Sequence, residues 1–489
     1  MLSAGVADKT DRAASATRSV LGGSAAILIA EGLALPTGLI SAGFLTRTLG
    51  ASAYGEFTLA ATMSSWAGMV ILTLFGRATI RAVGEQHDWQ QPARAVIGLH
   101  LLTGLGFAIV LWALAIPLER YLRMANLAPT LAICALEMVV FALTNGYKAV
   151  LIARGKFTRR ALSAGVRWIA RLAFILLLVG AGLGTMGAAL AILLATALEF
   201  VILVGCLPLW PSLVPRLPRS FWQIVPSSAG ASLGLRVFER LDLFLLTMLG
   251  AAAAEVGAYG AAQNLTYAAN IAAISIAPVV LSTVTRMQRE GLSEAAGELS
   301  GNVLRVLSYF LPLIAVAAGS SEAIMGFLFG PQFRSAGTTS AILLISSFFV
   351  MWVNVSTSIL IAHGRANWSS AVGLPLPIIV TPLVLFLVPR YGTAGAAAGS
   401  LLAMGAATAI TVAMYRRIPE IRFPLPSLLR ALVVAIACGV LSRQWQTSGF
   451  ALVFELFSLT VLVFVLLWIA GERPPLMARA SSLSASSSR

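Results

Sequence analysis

Long apolar runs separated by short polar stretches make up most of this chain. Runs such as 188–207, 432–440 and 451–470 are continuous and do not alternate. A membrane strand needs roughly 10 residues of alternating polarity, whereas a spanning helix needs about 20 mostly apolar ones. The backbone must satisfy its own hydrogen bonds in hydrocarbon, so these runs predict helices. Fourteen spans are expected, near 19–45, 54–76, 95–117, 127–147, 161–181, 186–207, 224–248, 257–284, 303–328, 338–362, 368–388, 394–415, 427–442 and 449–470. Residues 1–18 are polar and lead into a long first span, so no short cleavable leader is expected.

Composition agrees. Of 489 residues 58% are hydrophobic and 11% charged, against about 25% charged in soluble domains. A soluble enzyme and a nucleic-acid-binding domain are excluded, despite a net charge of +15. That charge follows topology. With both termini cytoplasmic, 22 of the 34 Lys and Arg residues, Lys148 among them, fall on the cytoplasmic side and 6 on the other. The excess meets anionic lipid and needs no nucleic-acid partner.

An internal repeat organises the spans. Ile152-Ala153-Arg154-Gly155-Lys156 recurs as Ile361-Ala362-His363-Gly364-Arg365, at an offset of 209. Gly184-Thr185-Met186-Gly187-Ala188-Ala189 recurs as Gly392-Thr393-Ala394-Gly395-Ala396-Ala397, at 208. Leu49-Gly50-Ala51 with Tyr54-Gly55 recurs as Leu249-Gly250-Ala251 with Tyr259-Gly260, at 200 to 205. Spans 1–6 are thus duplicated as spans 7–12, and an even number of spans makes the copies parallel. The expected fold is all-α and polytopic, with two six-helix lobes and two C-terminal helices. The plan is a cytoplasmic segment 1–18, an N-lobe 19–207, a cytoplasmic linker 208–223, a C-lobe 224–417, spans 13 and 14 over 427–470 and a disordered cytoplasmic tail 471–489. Two parallel bundles flanking a cleft suit alternating access.

Charges at membrane depth are costly and each needs a reason. Span 7 carries Arg236, Glu239, Arg240 and Asp242. Arg236 and Arg240 share a helix face and read either as a cationic cavity wall for an anionic headgroup or as a buried ion-pair cluster. Arg160, Arg167 and Arg171 stripe one face of span 5. Arg171 lies about 16 Å in from Arg160, too deep to snorkel, so it is expected to line a cavity, with Arg160 and Arg167 interfacial. Glu31, Glu137, Glu199 and Glu455 stand as isolated carboxyls, each a proton or cation site or else a protonated helix contact. Glu31, in a Gly-rich span with Pro36, is the foremost of them. Glu137 and Asp242 are further candidates for ion or proton coupling. Asn145, Asn264, Asn270 and Asn354 either bond a sugar or join helices. Pro375, Pro377 and Pro382 predict a broken span 11. Three cysteines and the separated His100 and His363 have no ligand spacing, so no metal or cofactor is expected. Gly155-Lys156 is followed by Phe157, which is not a phosphate-binding loop.

Phe44-Leu45-Thr46-Arg47-Thr48-Leu49-Gly50 followed by Tyr54-Gly55-Glu56-Phe57 resembles the opening of Wzx-type polysaccharide flippases. Arg240-Leu241-Asp242 with Val256-Gly257-Ala258-Tyr259, Phe329-Gly330-Pro331-Gln332-Phe333, and Pro389-Arg390-Tyr391-Gly392 are similar to later landmarks of that family. The resemblance covers about residues 20–420. It implies the multidrug/oligosaccharidyl-lipid/polysaccharide exporter (MOP) fold and no enzymatic activity. It further implies transfer of a polyprenyl-diphosphate-linked oligosaccharide across the inner membrane for O-antigen, capsule or exopolysaccharide assembly, alongside a polysaccharide polymerase and chain-length machinery. Arg236, Arg240 and Arg171 would receive the headgroup. The Asp-Ala-Phe signature of lipid II flippases is missing after span 1, where the chain reads Gly50-Ala51-Ser52-Ala53-Tyr54. The alternatives are a cation-coupled drug exporter, which needs an acidic cavity, and a membrane glycan polymerase or ligase, which needs a large outward loop.

Overall fold

A computed structural model describes residues 27, 29–84, 88–214, 217, 219–445 and 447–472. The segment expected at 1–18 and the tail from 473 onward lie outside the described residues. Helices carry nearly all of the rest. They are α1 (Ala34–Gly84), α2 (Gln90–Leu122), α3 (Leu127–Ala153), α4 (Phe157–Gly180), α5 (Gly184–Cys206), α6 (Arg219–Met248), α7 (Ala253–Arg289) and α8 (Ser293–Ser308). There follow α9 (Phe310–Gly319), α10 (Ser321–Phe329), α11 (Gly337–Ala362), α12 (Ala366–Gly373), α13 (Leu376–Tyr415), α14 (Leu425–Gln444) and α15 (Ala451–Ile469).

Among the described residues ten helices are long and apolar enough to cross a membrane, against fourteen spans expected. Two of them are each bent into two helices, at Gly50 in α1 and Gly392 in α13. Two expected spans, in α6 and α7, are not among the ten; α6 carries Arg236, Glu239, Arg240 and Asp242.

The repeat reappears in the backbone. Gly50 and Gly250 have φ of 76° and 89°, Gly155 and Gly364 67° and 76°, and Gly184 and Gly392 59° and 55°. Each matched pair turns the chain through the left-handed region, which glycine enters without a Cβ clash. The matched motifs therefore each place a glycine of positive φ at the same position.

The chain divides into two compact units, Met1–Arg240 and Leu241–Arg489, with the division inside α6. The first unit packs Ile71, Phe75 and Ala78 of α1 against Val96 of α2, Met138 and Ala142 of α3, and Phe221. Beyond α5, Tyr147 donates its hydroxyl to the Leu209 carbonyl, which fixes where the chain leaves that helix. Span 5 presents Ile169 and Leu177 outward, as a lipid-facing surface requires.

The second unit is built on α11, whose Phe348, Met351, Trp352, Val355 and Ile359 share a core with Val284, Leu304 and Tyr415. The expected ninth span is interrupted. α8 is followed by two short apolar helices that meet at Ser320. The expected break at Pro375 also appears, with α12 ending at Gly373 and Pro375 capping α13. One face of α8 lies on the segment after α13, where a Cβ on Gly297 would strike the carbonyl of Glu420 and one on Gly301 that of Arg422. Gly297→Ala is expected to destabilise the protein by about 1–3 kcal/mol, the cost of overpacking against backbone. A fluorescence melt in detergent measures it, and a change below about 0.5 kcal/mol would contradict this contact.

Where the chain leaves α15, Glu472 is buried and draws three groups together. Arg305 Nε and Tyr309 Oη donate to its Oε2, both at 2.8 Å, and Arg430 Nη1 donates to Oε1 at 2.9 Å. Burial pushes this carboxyl up, but hydrogen bonds from Tyr309, Ser427, Arg305 and Arg430 outweigh it and hold the group at about 2. A carboxyl depressed in the folded state stabilises the fold above its ordinary value of 4.5, and that contribution fades as pH falls toward 2. The melting-temperature gap between the wild type and Glu472→Gln should therefore be constant near neutrality and narrow below about pH 4.5. A gap that does not change with pH would remove this assignment.

Candidate functional site

The first unit holds a charged network inside its helices. After the turn at Gly155, α4 carries Arg160, Arg167 and Arg171 along one face. Arg160 Nη2 pairs with Glu31 Oε1 at 3.0 Å, and Arg167 Nε with Glu199 Oε2 at 3.1 Å. Lys148 Nζ of α3 reaches the same Glu199 at 3.3 Å. Trp168 links the two pairs. Its ring lies 4.1 Å from the Arg167 guanidinium and 5.8 Å from that of Arg171, and its indole Nε1 donates to Glu31 at 3.3 Å.

This arrangement revises several expectations. Arg167 is nearly buried beside Glu199. Lys148, counted among the charges flanking the spans, is buried within the network. The carboxyls read as isolated are partnered. Glu199 has its two cations, and Glu31 has Arg160 and Trp168. Glu137 accepts from Ser64 and Thr196, both at 3.1 Å, and Arg167 and Arg171 lie within Coulombic reach of it. Glu455 accepts from Ser320 at 2.8 Å and from Thr447, fastening α15 to α10.

On α6, Arg236 Nη1 meets both oxygens of Glu239 at 2.9 and 3.0 Å. Arg236 thus pairs with a residue of its own helix, and its side chain stays 37% exposed. Arg240 is partly buried and engaged. Asp242 is buried in the second unit, where Tyr259 Oη at 2.6 Å, Gln263 Nε2 at 2.9 Å and Ser400 Oγ at 2.9 Å all donate to it.

His363 has a role as a joint. Gln288 Nε2 lies 2.8 Å from its Nδ1 and Ser300 Oγ 3.1 Å from its Nε2, so α7, α8 and the turn after α11 are tied at one ring. Burial lowers the affinity of that ring for a proton, against the pull of Glu420. Asn354 donates to the Val350 carbonyl of its own helix, and the Asn270 side chain lies outside the described residues. Among the described residues no group of three or more His, Cys, Asp or Glu could hold a metal.

Sequence reasoning placed Arg171 and Glu137 inside the membrane but missed Trp168 and the convergence on Glu199. One signal was available. Lys148 stands one residue past the expected end of span 4 and Glu199 lies in span 6 of the same lobe, and opposite charges beside one apolar bundle are expected to find each other.

Residues 44–337 match the family described as "Polysaccharide biosynthesis protein". No curated protein sequence matches the chain significantly. Among solved structures, the lipid II flippase MurJ in an inward closed conformation aligns with a TM-score of 0.74 at 14% identity, covering 91% of this chain and 97% of that one. A MOP-superfamily transporter from Pyrococcus furiosus, described as having a binding pocket of reverse polarity, aligns with a TM-score of 0.59 at 12% identity, over 83% and 96%. The Vibrio cholerae MATE transporter VcmN in its bent form gives 0.52 at 18% identity, over 84% and 99%. At these identities the likeness is one of fold. The family match spans more than half of the chain, and this multi-pass membrane protein, built on the fold of the MOP-superfamily transporters, belongs to the polysaccharide biosynthesis protein family.

Proposed function

We propose that this protein is a flippase that moves a polyprenyl-diphosphate-linked oligosaccharide across the cytoplasmic membrane for surface polysaccharide assembly. The observation that carries the reading is the stripe of guanidinium groups on α4, Arg160, Arg167 and Arg171, held inside an apolar unit of a polysaccharide-biosynthesis protein. Such groups are costly in hydrocarbon and suit an anionic guest, because guanidinium matches phosphate oxygens in a bidentate way. In this reading Arg171, Arg236 and Arg240 receive the diphosphate while the polyprenyl chain stays in the bilayer. Glu31, Glu137 and Asp242 are the candidates for a coupling proton or cation. The lobes are residues 19–207 and 224–417, both termini face the cytoplasm, and a polymerase with its chain-length machinery uses the product. The motif missing after span 1 favours an O-antigen, capsule or exopolysaccharide unit over lipid II.

Leaflet transfer by the purified protein in liposomes tests this directly. A labelled polyprenyl-diphosphate glycan should move from the inner to the outer leaflet, while a neutral glycolipid of the same chain length should not. Transport of organic cations without transfer of the glycan lipid would replace this reading with that of a drug exporter.

A further inference from the structure

The network around Glu199 is looser than a purely structural ion cluster would be. A buried pair offsets its desolvation only with good geometry and satisfied hydrogen bonds. Here Arg167 Nε lies 3.1 Å from Glu199 Oε2, yet that Nε is among the buried atoms with no hydrogen bond among the described residues. Glu199 Oε1 and the Nε and Nη1 of Arg160 are in the same position. Lys148 stands 3.3 and 3.5 Å from the two Glu199 oxygens. Buried donors are rarely left unused. Lys148, Arg160 and Arg167 share the two carboxylates Glu199 and Glu31.

Exposure is graded along the network. The side chain of Glu31 is 37% exposed, Arg160 17%, Arg167 13%, Lys148 9% and Glu199 0%. The row thus runs from a partly exposed end at Glu31 to a buried end at Glu199. Trp168 holds its middle, stacked on Arg167 and donating to Glu31.

We propose that Lys148, Arg160 and Arg167 form an anion seat in which Glu199 and Glu31 are placeholders, and that the phosphate groups of a diphosphate ester take the seat by displacing those carboxylates. The proposal rests on the headgroup reading above and adds residues outside it. A diphosphate carries four non-bridging oxygens on one linked group, so it can engage the unused guanidinium donors together with those now divided between two separate carboxylates. Trp168 keeps Arg167 in place during the exchange, because a cation stacked on an indole does not need the carboxylate to stay oriented.

Binding of inorganic pyrophosphate, farnesyl diphosphate and farnesol to the purified full-length protein, read by calorimetry, tests the seat. Pyrophosphate stands for the headgroup alone and farnesol for the chain alone. Glu199→Gln removes the competing charge and keeps the shape, so it should bind both diphosphates about tenfold more tightly than the wild type. Lys148→Met should bind them about tenfold more weakly, and farnesol should respond to neither. Glu199→Asp, which retracts the carboxylate by one methylene, should fall between wild type and Gln and serves should the Gln variant not fold. Wild-type binding that Glu199→Gln, Glu199→Asp and Lys148→Met all leave unchanged would overturn the placeholder role and leave the flippase reading standing. Failure of every form to bind either diphosphate would overturn both.

Discussion

Arg240→Ala is expected to slow leaflet transfer of the glycan lipid sharply while the protein still inserts and folds. A charge-assisted hydrogen bond to phosphate contributes about 1.5–3 kcal/mol, so losing it slows transfer roughly 10- to 100-fold if the contact forms on the way across. Arg236→Ala also removes the partner of Glu239, so its rate is compared with that of Glu239→Gln. Initial rates in liposomes, compared at matched protein incorporation, provide the measurement. Undiminished transfer in Arg240→Ala would remove α6 from the headgroup path, and the α4 stripe would then carry the whole anionic load.

Arg167→Met is the second large effect, and it appears in stability. Removing one partner of a buried pair costs about 3–5 kcal/mol, because the remaining charge is left without compensation in a medium that solvates it poorly. Lys148 still faces Glu199 after the substitution, so the expected cost is about 3 kcal/mol, the lower end of that range. The same change in a Glu199→Gln background should cost under about 1 kcal/mol, since removing Arg167 then leaves no buried carboxylate without its partner. Thermal unfolding of the four forms in one detergent closes the cycle. A coupling near zero would mean that the pair is solvated and that α4 does not bring Arg167 against α5 as described.

The helical class was legible from the runs themselves, for a physical reason. Hydrocarbon leaves no alternative partner for a backbone amide, so about 20 apolar residues in a row dictate a helix without reference to the rest of the chain. The repeat was legible too. Its motifs are turns, and a glycine at a left-handed turn is a local requirement that the sequence carries at Gly155 and Gly364 alike. Where the readings differed from the structure, the cause was non-local. Charges crowd α6, and the helices around Ser320 are short, so apolar length alone does not define those elements.

The charged site divides the same way. The spacing of Arg160, Arg167 and Arg171 follows from 3.6 residues per turn, so their common face is a property of the sequence alone. That Glu199 stands between Lys148 and Arg167, and that Asp242 gathers Tyr259, Gln263 and Ser400, was decided only when distant helices packed. The sequence alone determined that this protein is a helical membrane protein with a duplicated plan and cations at depth, because lipid acts on each segment separately. Which acid neutralises which cation was left to the tertiary structure, because partners dozens of residues apart meet through the shape of the bundle and not through any local pattern.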